Sequence, residues 1–230
     1  AYGYTETDLA GGGAFPLVLT RYYNAHSDRY DTLGYRWSHT FDTRLYITDE
    51  GDVGVIFGSG REEFFDWLPS TAEFVETDLR VHDSMVKNGD DSYTFTTTSN
   101  LTYEFTSTGR LTSISDQNDN SIDLTYDGSG TLTTATDPAG RELTFAYDGN
   151  GRLASVTDEI GAVVSYTYDA NGDLVTVTDP EDGERTYTYS KHRLISVLDP
   201  NGDTVVETTL DLYNRVISQT DAGDETITLE

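Results

Sequence analysis

The sequence predicts an all-β protein built from antiparallel β-hairpin repeats, and three observations carry that prediction. Residues return at a fixed interval: Tyr147, Asp148, Asn150, Gly151 and Leu153 reappear 21 positions later as Tyr168, Asp169, Asn171, Gly172 and Leu174. Each interval holds two turn signals, such as Asp-Ala-Asn-Gly at 169–172 and Asp-Pro-Glu-Asp-Gly at 179–183, with runs rich in Thr, Val, Tyr and Leu between them. No stretch carries a 3.6-residue hydrophobic period.

Three parts follow in order. Residues 1–48 open with an apolar run that leads through Thr20 to Asn24 (Thr-Arg-Tyr-Tyr-Asn) to the element Gly34 to Asp42. Residues 49–102 carry hairpin-like stretches such as "YTFTTTSNLTYEF", with a less regular connector around Leu68 to Glu76. Residues 103–230 hold six repeats whose phase is marked by Phe105, Tyr126, Tyr147, Tyr168, Tyr189 and Leu210. Six positions after each marker stands Leu111, Leu132, Leu153, Leu174 or Val216, with Leu194 one earlier because its repeat has lost a residue. Asp116, Asp137, Asp158, Asp179, Asp199 and Asp221 follow.

One hairpin per repeat gives a long antiparallel meander. Strict alternation puts Tyr187 and Tyr189 on one face with Thr186 and Thr188 on the other, and sets Leu174 opposite Val175 and Val177. The phase-marking aromatics are then expected to stack from hairpin to hairpin, at roughly 0.2–1 kcal/mol per cross-strand pair.

Composition narrows the function. The formal net charge of −27, with only two lysines, Lys87 and Lys191, argues against nucleic-acid partners, which need a cationic surface. The acidic residues are spread along the chain, as on a solvated surface, in a protein kept soluble in high salt, or at a calcium-rich exterior. Cysteine is absent, which removes disulfides and thiol chemistry. No apolar run reaches membrane-spanning length, and the opening Ala1 reads as that of a processed or excised piece.

Candidate chemistry is sparse. Ser38, His39 and Asp42 are the residue types of a catalytic triad, but they lie within five residues of one strand, where Ser and His point to opposite faces. The four histidines, His26, His39, His82 and His192, lack metal-site spacing. Asp116 to Asp127 has side-chain oxygens at positions one, three and five of a calcium loop but lacks the glycine at six and the glutamate at twelve, so a hairpin turn is the better reading. Asn100-Leu101-Thr102 is a glycosylation sequon that matters only if the protein is exported. No phosphate loop or nucleophile elbow appears, and the expectation is a non-enzymatic protein without catalytic, cofactor-binding or metal residues.

The recurring Tyr-Asp, Gly-turn, Arg-Leu, strand, Thr-Asp-Pro, Gly pattern resembles the Rhs/YD-repeat family. "YDGNGRLASVTD" at 147–158 and "TDPAGRELTFAYD" at 136–148 fit it closely, while "YSKHRLISVLDPNG" at 189–202 has lost the Asp after Tyr. Thr20 to Asn24 and Gly34 to Asp42 are similar to the segment preceding the repeats in bacterial and archaeal members. The resemblance implies that Trp37 and His39 seat the N-terminal segment against the repeats. It also implies a curved or spiralling sheet that, in longer chains, becomes a hollow shell around a C-terminal toxin or other cargo, exported or at the cell surface. An alternative is a complete subunit of an extracellular filament or adhesion fibre. It would add head to tail through exposed sheet edges, the last repeat ending at Glu230 and the chain's own Tyr2 and Tyr4 offering the next aromatics.

Overall fold

The computed structural model describes residues 3–78, 82–213, 215–221 and 226–228. Tyr2 and Glu230, to which the head-to-tail reading appeals, lie outside them, as does the side chain of Asp221. All regular structure among the described residues is β-strand, and no helix is long and apolar enough to cross a membrane. Strands Gly3–Ala10, Val18–Asn24 and Trp37–His39 pair in that order. The chain divides into two compact bodies, one of residues 1–8, 22–38 and 145–230, the other of residues 9–21 and 39–144.

In the second body, strands Arg44–Ile47, Val53–Ile56, Glu62–Leu68 and Glu73–Glu76 form a four-stranded meander. The long sheet begins there with Ser84–Lys87, Tyr93–Thr96, Thr102–Phe105, Leu111–Ser115, Ser121–Tyr126 and Leu132–Thr136. Phe57, Phe65 and Phe95 meet edge to face at 5.8 and 5.9 Å in its core. In the first body the repeats continue through Leu153–Asp158, Val163–Tyr168, Leu174–Thr178, Glu184–Ser190, Arg193–Leu198, Thr204–Leu210, Val216–Asp221 and Thr226–Thr228. In both bodies the hydrogen-bonded strand order is the chain order, as a meander requires.

Nine turns among the described residues of the repeats are each stabilised by an aspartate of their own. Asp148 Oδ1 accepts the backbone N–H of Asn150 and of Arg152, at 2.8 and 2.9 Å. The same pair of bonds recurs at Asp116, Asp127, Asp137, Asp158, Asp169, Asp179, Asp199 and Asp211. Asp116 and Asp127, the ends of the calcium-loop lookalike, therefore head two successive hairpin turns. The fourth turn residue is left-handed, which glycine adopts without strain: Gly151 has φ 79°. Asp119 and Asp182 take that place at φ 62° and 65°, as short polar side chains can. The repeat that lost a residue turns instead on two left-handed residues, Lys191 and His192, between the paired Ser190 and Arg193. That is the primed two-residue hairpin turn whose twist matches the flanking strands.

The alternation expected at Leu174 does not survive. Leu174 and Val177 are both buried, at 0% and 4% exposure, and Val175 is only half-buried. The cause is a β-bulge: Thr167 pairs with Thr176 but Tyr168 pairs with Leu174, so Val175 is an extra residue that resets the pleat. The same shift falls at Phe105, Tyr126, Tyr189 and Leu210. It places Leu111 with Ile114, Leu132 with Ala135, and Leu194 with Val197 on the buried face, three residues apart. The opposite face pairs hydroxyls across the strands, such as Thr134 with Thr144, Ser155 with Ser165, and Thr176 with Thr186.

The phase-marking tyrosines are half-buried at the bulge. Tyr126 Oη donates to the carbonyl of Leu111, and Tyr168 Oη to that of Leu153, each at 2.7 Å. Arg110 and Arg152 lie over these two rings, 5.0 and 4.4 Å from the centroids. The bond to a carbonyl fifteen residues back and the cation over the ring hold Tyr126 and Tyr168 in place. Burial pushes the Tyr126 hydroxyl up to about 12.

Candidate functional site

The constellation that joins the N-terminal segment to the repeats lies within the first body. Trp37, 2% exposed, stands among Tyr4, Tyr23 and Tyr187, with ring centroids 6.1, 5.4 and 5.3 Å away. Such tilted and edge-on contacts suit the aromatic quadrupole. The indole Nε1–H donates to Tyr189 Oη at 2.8 Å, and the backbone N–H of Leu194 donates to Tyr23 Oη at 2.9 Å. Burial raises the pKa of Tyr4, Tyr23 and Tyr189, so all three stay neutral across the physiological range.

Around this apolar centre the N-terminal backbone is tied down by polar groups. Leu153 N–H donates to Thr32 O at 2.7 Å, Arg193 Nη1 to Ala25 O at 3.0 Å, and Tyr166 Oη to Asp8 Oδ2 at 2.7 Å. Arg185 faces Glu6 at 3.4 Å. Gly34 is in closest approach: a Cβ there would lie 2.3 Å from the carbonyl oxygen of Gly172, and its φ is 83°. Only glycine fits.

Of the two residues that the resemblance assigns to this seat, Trp37 reaches the repeats directly. His39, 1% exposed, is bound within its own turn in the second body. Its Nδ1 accepts the Phe41 N–H at 3.2 Å, its Nε2 faces Asp42 Oδ1 at 3.2 Å, and its backbone N–H donates to Asp42 Oδ2 at 2.8 Å. Both ring nitrogens are engaged, so the imidazole orients a turn and has no nitrogen left for an incoming group. His26 and His82 are exposed. Asn100 is exposed at a turn with φ 59°. No group of three or more His, Asp or Glu side chains among the described residues is placed to hold a metal ion.

A feature that sequence reading misses is a polar groove of about 390 Å³ in the first body, lined by Asp169, Asn171, Asp173, Tyr187, Lys191 and His192 among others. Asp173, 3% exposed, meets His192 Nδ1 at 2.9 Å, and the imidazole stacks on Tyr35 at 3.8 Å. Burial raises the Asp173 carboxyl, and the bond to His192 opposes that rise. The signal was present as a departure from the repeat. Asp173 stands where the preceding repeat has Arg152, which pairs with Asp148 at 2.7 Å, and His192 sits in the shortened turn. A carboxylate in place of a turn cation needs a partner from elsewhere, and the next turn supplies it.

Comparison with known proteins adds the following. A family profile described as "RHS Repeat" matches residues 105–142, 147–182 and 168–204, and one described as "Domain of unknown function (DUF6531)" matches residues 1–65. No curated protein matches the chain. Among solved structures, the crystal structure of TcdB2-TccC3 without its hypervariable C-terminal region is 19% identical over 90% of this chain, with a TM-score of 0.43. The Tc holotoxin pore of Photorhabdus luminescens is 18% identical over 77% of this chain, with a TM-score of 0.42. The chain spans 12% and 10% of those two chains. With the repeat profile lying on the aspartate turns and bulged tyrosines, and a separate profile covering the strands that carry Trp37, the chain is an Rhs/YD-repeat protein.

Proposed function

We propose that this chain is a wall segment of an exported Rhs-type shell that encloses or presents a toxin or other cargo, and that it has no turnover of its own. In this reading residues 1–48 are the seated N-terminal segment, 49–102 an irregular hairpin region and 103–230 the repeating wall. It acts at the cell surface or outside the cell, without nucleic-acid partners or membrane insertion.

The observation that supports it best is the constancy of the repeat step. Turn, bulge and buried pair recur together, so each hairpin presents the same edge to the next, and a sheet made this way extends by adding hairpins. Among the described residues Thr226–Thr228 is the last strand in the sheet order, and in this reading further hairpins pair at that edge. Among the described residues the recurring aspartates are spent on turn backbone N–H groups.

Electron microscopy of the natural gene product tests this. Closed hollow particles with cargo inside are expected. Long fibres with one copy per axial repeat would establish the filament instead. A compact monomer with a small molecule in the groove beside Asp173 would defeat both.

A further inference from the structure

Three carboxylates in the second body, two buried and one half-buried, stand apart from the aspartate turns. Glu63, on strand Glu62–Leu68, and Asp83, just before strand Ser84–Lys87, are each 8% exposed, and Glu76 ends strand Glu73–Glu76. Asp83 Oδ1 accepts the Thr98 N–H at 2.6 Å, and Glu76 Oε2 accepts the Asp83 N–H at 3.2 Å. Glu63 Oε1 faces Arg61 Nη1 at 3.0 Å. The second oxygen of each, Glu63 Oε2, Glu76 Oε1 and Asp83 Oδ2, is buried without a hydrogen-bond partner.

A buried acceptor left unpaired forfeits its hydration without replacement, the more so when charged, so such a group calls for a missing partner. The three carboxylates are not arranged to hold a metal ion. Arg61 cannot neutralise them alone, being half exposed and laid over the Phe57 ring. Asp78 and His82 also face the cluster, both beside Glu76. Glu63 and Asp83 are within side-chain hydrogen-bonding reach of each other, and a bond between two carboxyl groups exists only when one carries a proton.

We propose that Glu63 and Asp83 share a proton, and that this shared proton is a pH-sensitive latch joining the four-stranded meander to the first strand of the long sheet. With the proton in place, Glu63 donates to Asp83 and two orphan oxygens become one hydrogen bond. When the proton leaves, two like charges face each other across a desolvated gap, Asp83 withdraws, and Ser84–Lys87 loosens. Burial first and the Asp83 bond second push the Glu63 carboxyl up to about 7, which puts the opening near neutral pH. A raised carboxyl binds its proton more tightly in the folded state. Its stabilisation is therefore complete below the ordinary carboxylate value of 4.5 and is lost as pH rises through about 7.

The test is carboxyl ¹³C NMR on the 230-residue chain, with amide protection factors for Asp83 and Thr98 across the same titration. One glutamate is expected to titrate with a midpoint near 7 and to vanish in Glu63→Gln, and protection at both amides is expected to fall by up to about tenfold per pH unit between 4.5 and about 7 and then to level off. Glu63→Gln, which keeps a donor toward Asp83 at every pH, should hold its protection flat. If every glutamate titrates below about 5.5, no proton is shared. If Glu63 titrates near 7 while protection does not change, the proton is shared but holds no latch, and the proposal fails either way.

Discussion

The indole of Trp37 donates its proton to the hydroxyl of Tyr189, 152 residues further along the chain, at 2.8 Å. It is the polar tie at the centre of the aromatic seat. Trp37→Phe removes the donor and leaves a buried hydroxyl with one partner fewer. We expect a loss of about 1–3 kcal/mol in urea unfolding. Adding Tyr189→Phe to it should cost less than the sum of the two single changes. Additive losses would show that the bond contributes nothing.

Leu153, 0% exposed, is a core residue of the repeat. Leu153→Ala should cost about 2–5 kcal/mol, as large-to-small core changes do. Tyr168→Phe, which removes the bond to the Leu153 carbonyl, should cost about 1 kcal/mol. Denaturant midpoints check both.

Two glycines separate conformation from crowding. At Gly151 a Cβ meets nothing within 4 Å, so Gly151→Ala is opposed only by its left-handed φ, at about 1–2 kcal/mol. At Gly34 the same change also drives a methyl against the Gly172 carbonyl. Thermal unfolding should show Gly34→Ala losing clearly more than Gly151→Ala.

The turn aspartates set the acid limit. Burial opposes ionisation of Asp148, but the N–H of Arg152, its guanidinium and the N–H of Asn150 outweigh it, and the pKa falls below the ordinary 3.8. Because the folded value is depressed, the stabilisation is present above 3.8 and lost as pH falls through the folded value. Asp148→Asn should therefore flatten the acid limb of a melting-temperature profile below about pH 4 and leave its neutral region parallel to the parent. An unchanged acid limb would mean that Asp148 carries no such linkage.

Self-repulsion of a −27 charge weakens with screening, so the unfolding midpoint should rise from low to molar potassium chloride. A midpoint independent of salt would indicate carboxylates paired one by one, as Asp137 is with Arg141.

Much of this fold was legible because it repeats: nine occurrences of one turn chemistry among the described residues leave little ambiguity about hairpins. The face of Val175 was not legible, since a bulge is set by pairing between strands and has no residue signature of its own at Tyr168. The groove at Asp173 and His192 was legible only as a break in the pattern. The carboxyl cluster of Glu63, Glu76 and Asp83 was invisible because its members come from three elements of the least periodic part of the chain. Where the sequence repeats it describes architecture, and where it stops repeating the structure holds its titratable surprises.

Each aspartate turn satisfies its backbone with its own carboxylate, so a hairpin brings its closing chemistry with it. An in-frame duplication of one repeat inherits a finished turn at both ends and a matching edge on either side. Sheet length is thus a heritable quantity that gene copying can raise or lower in whole steps, while the seat around Trp37 stays as it is.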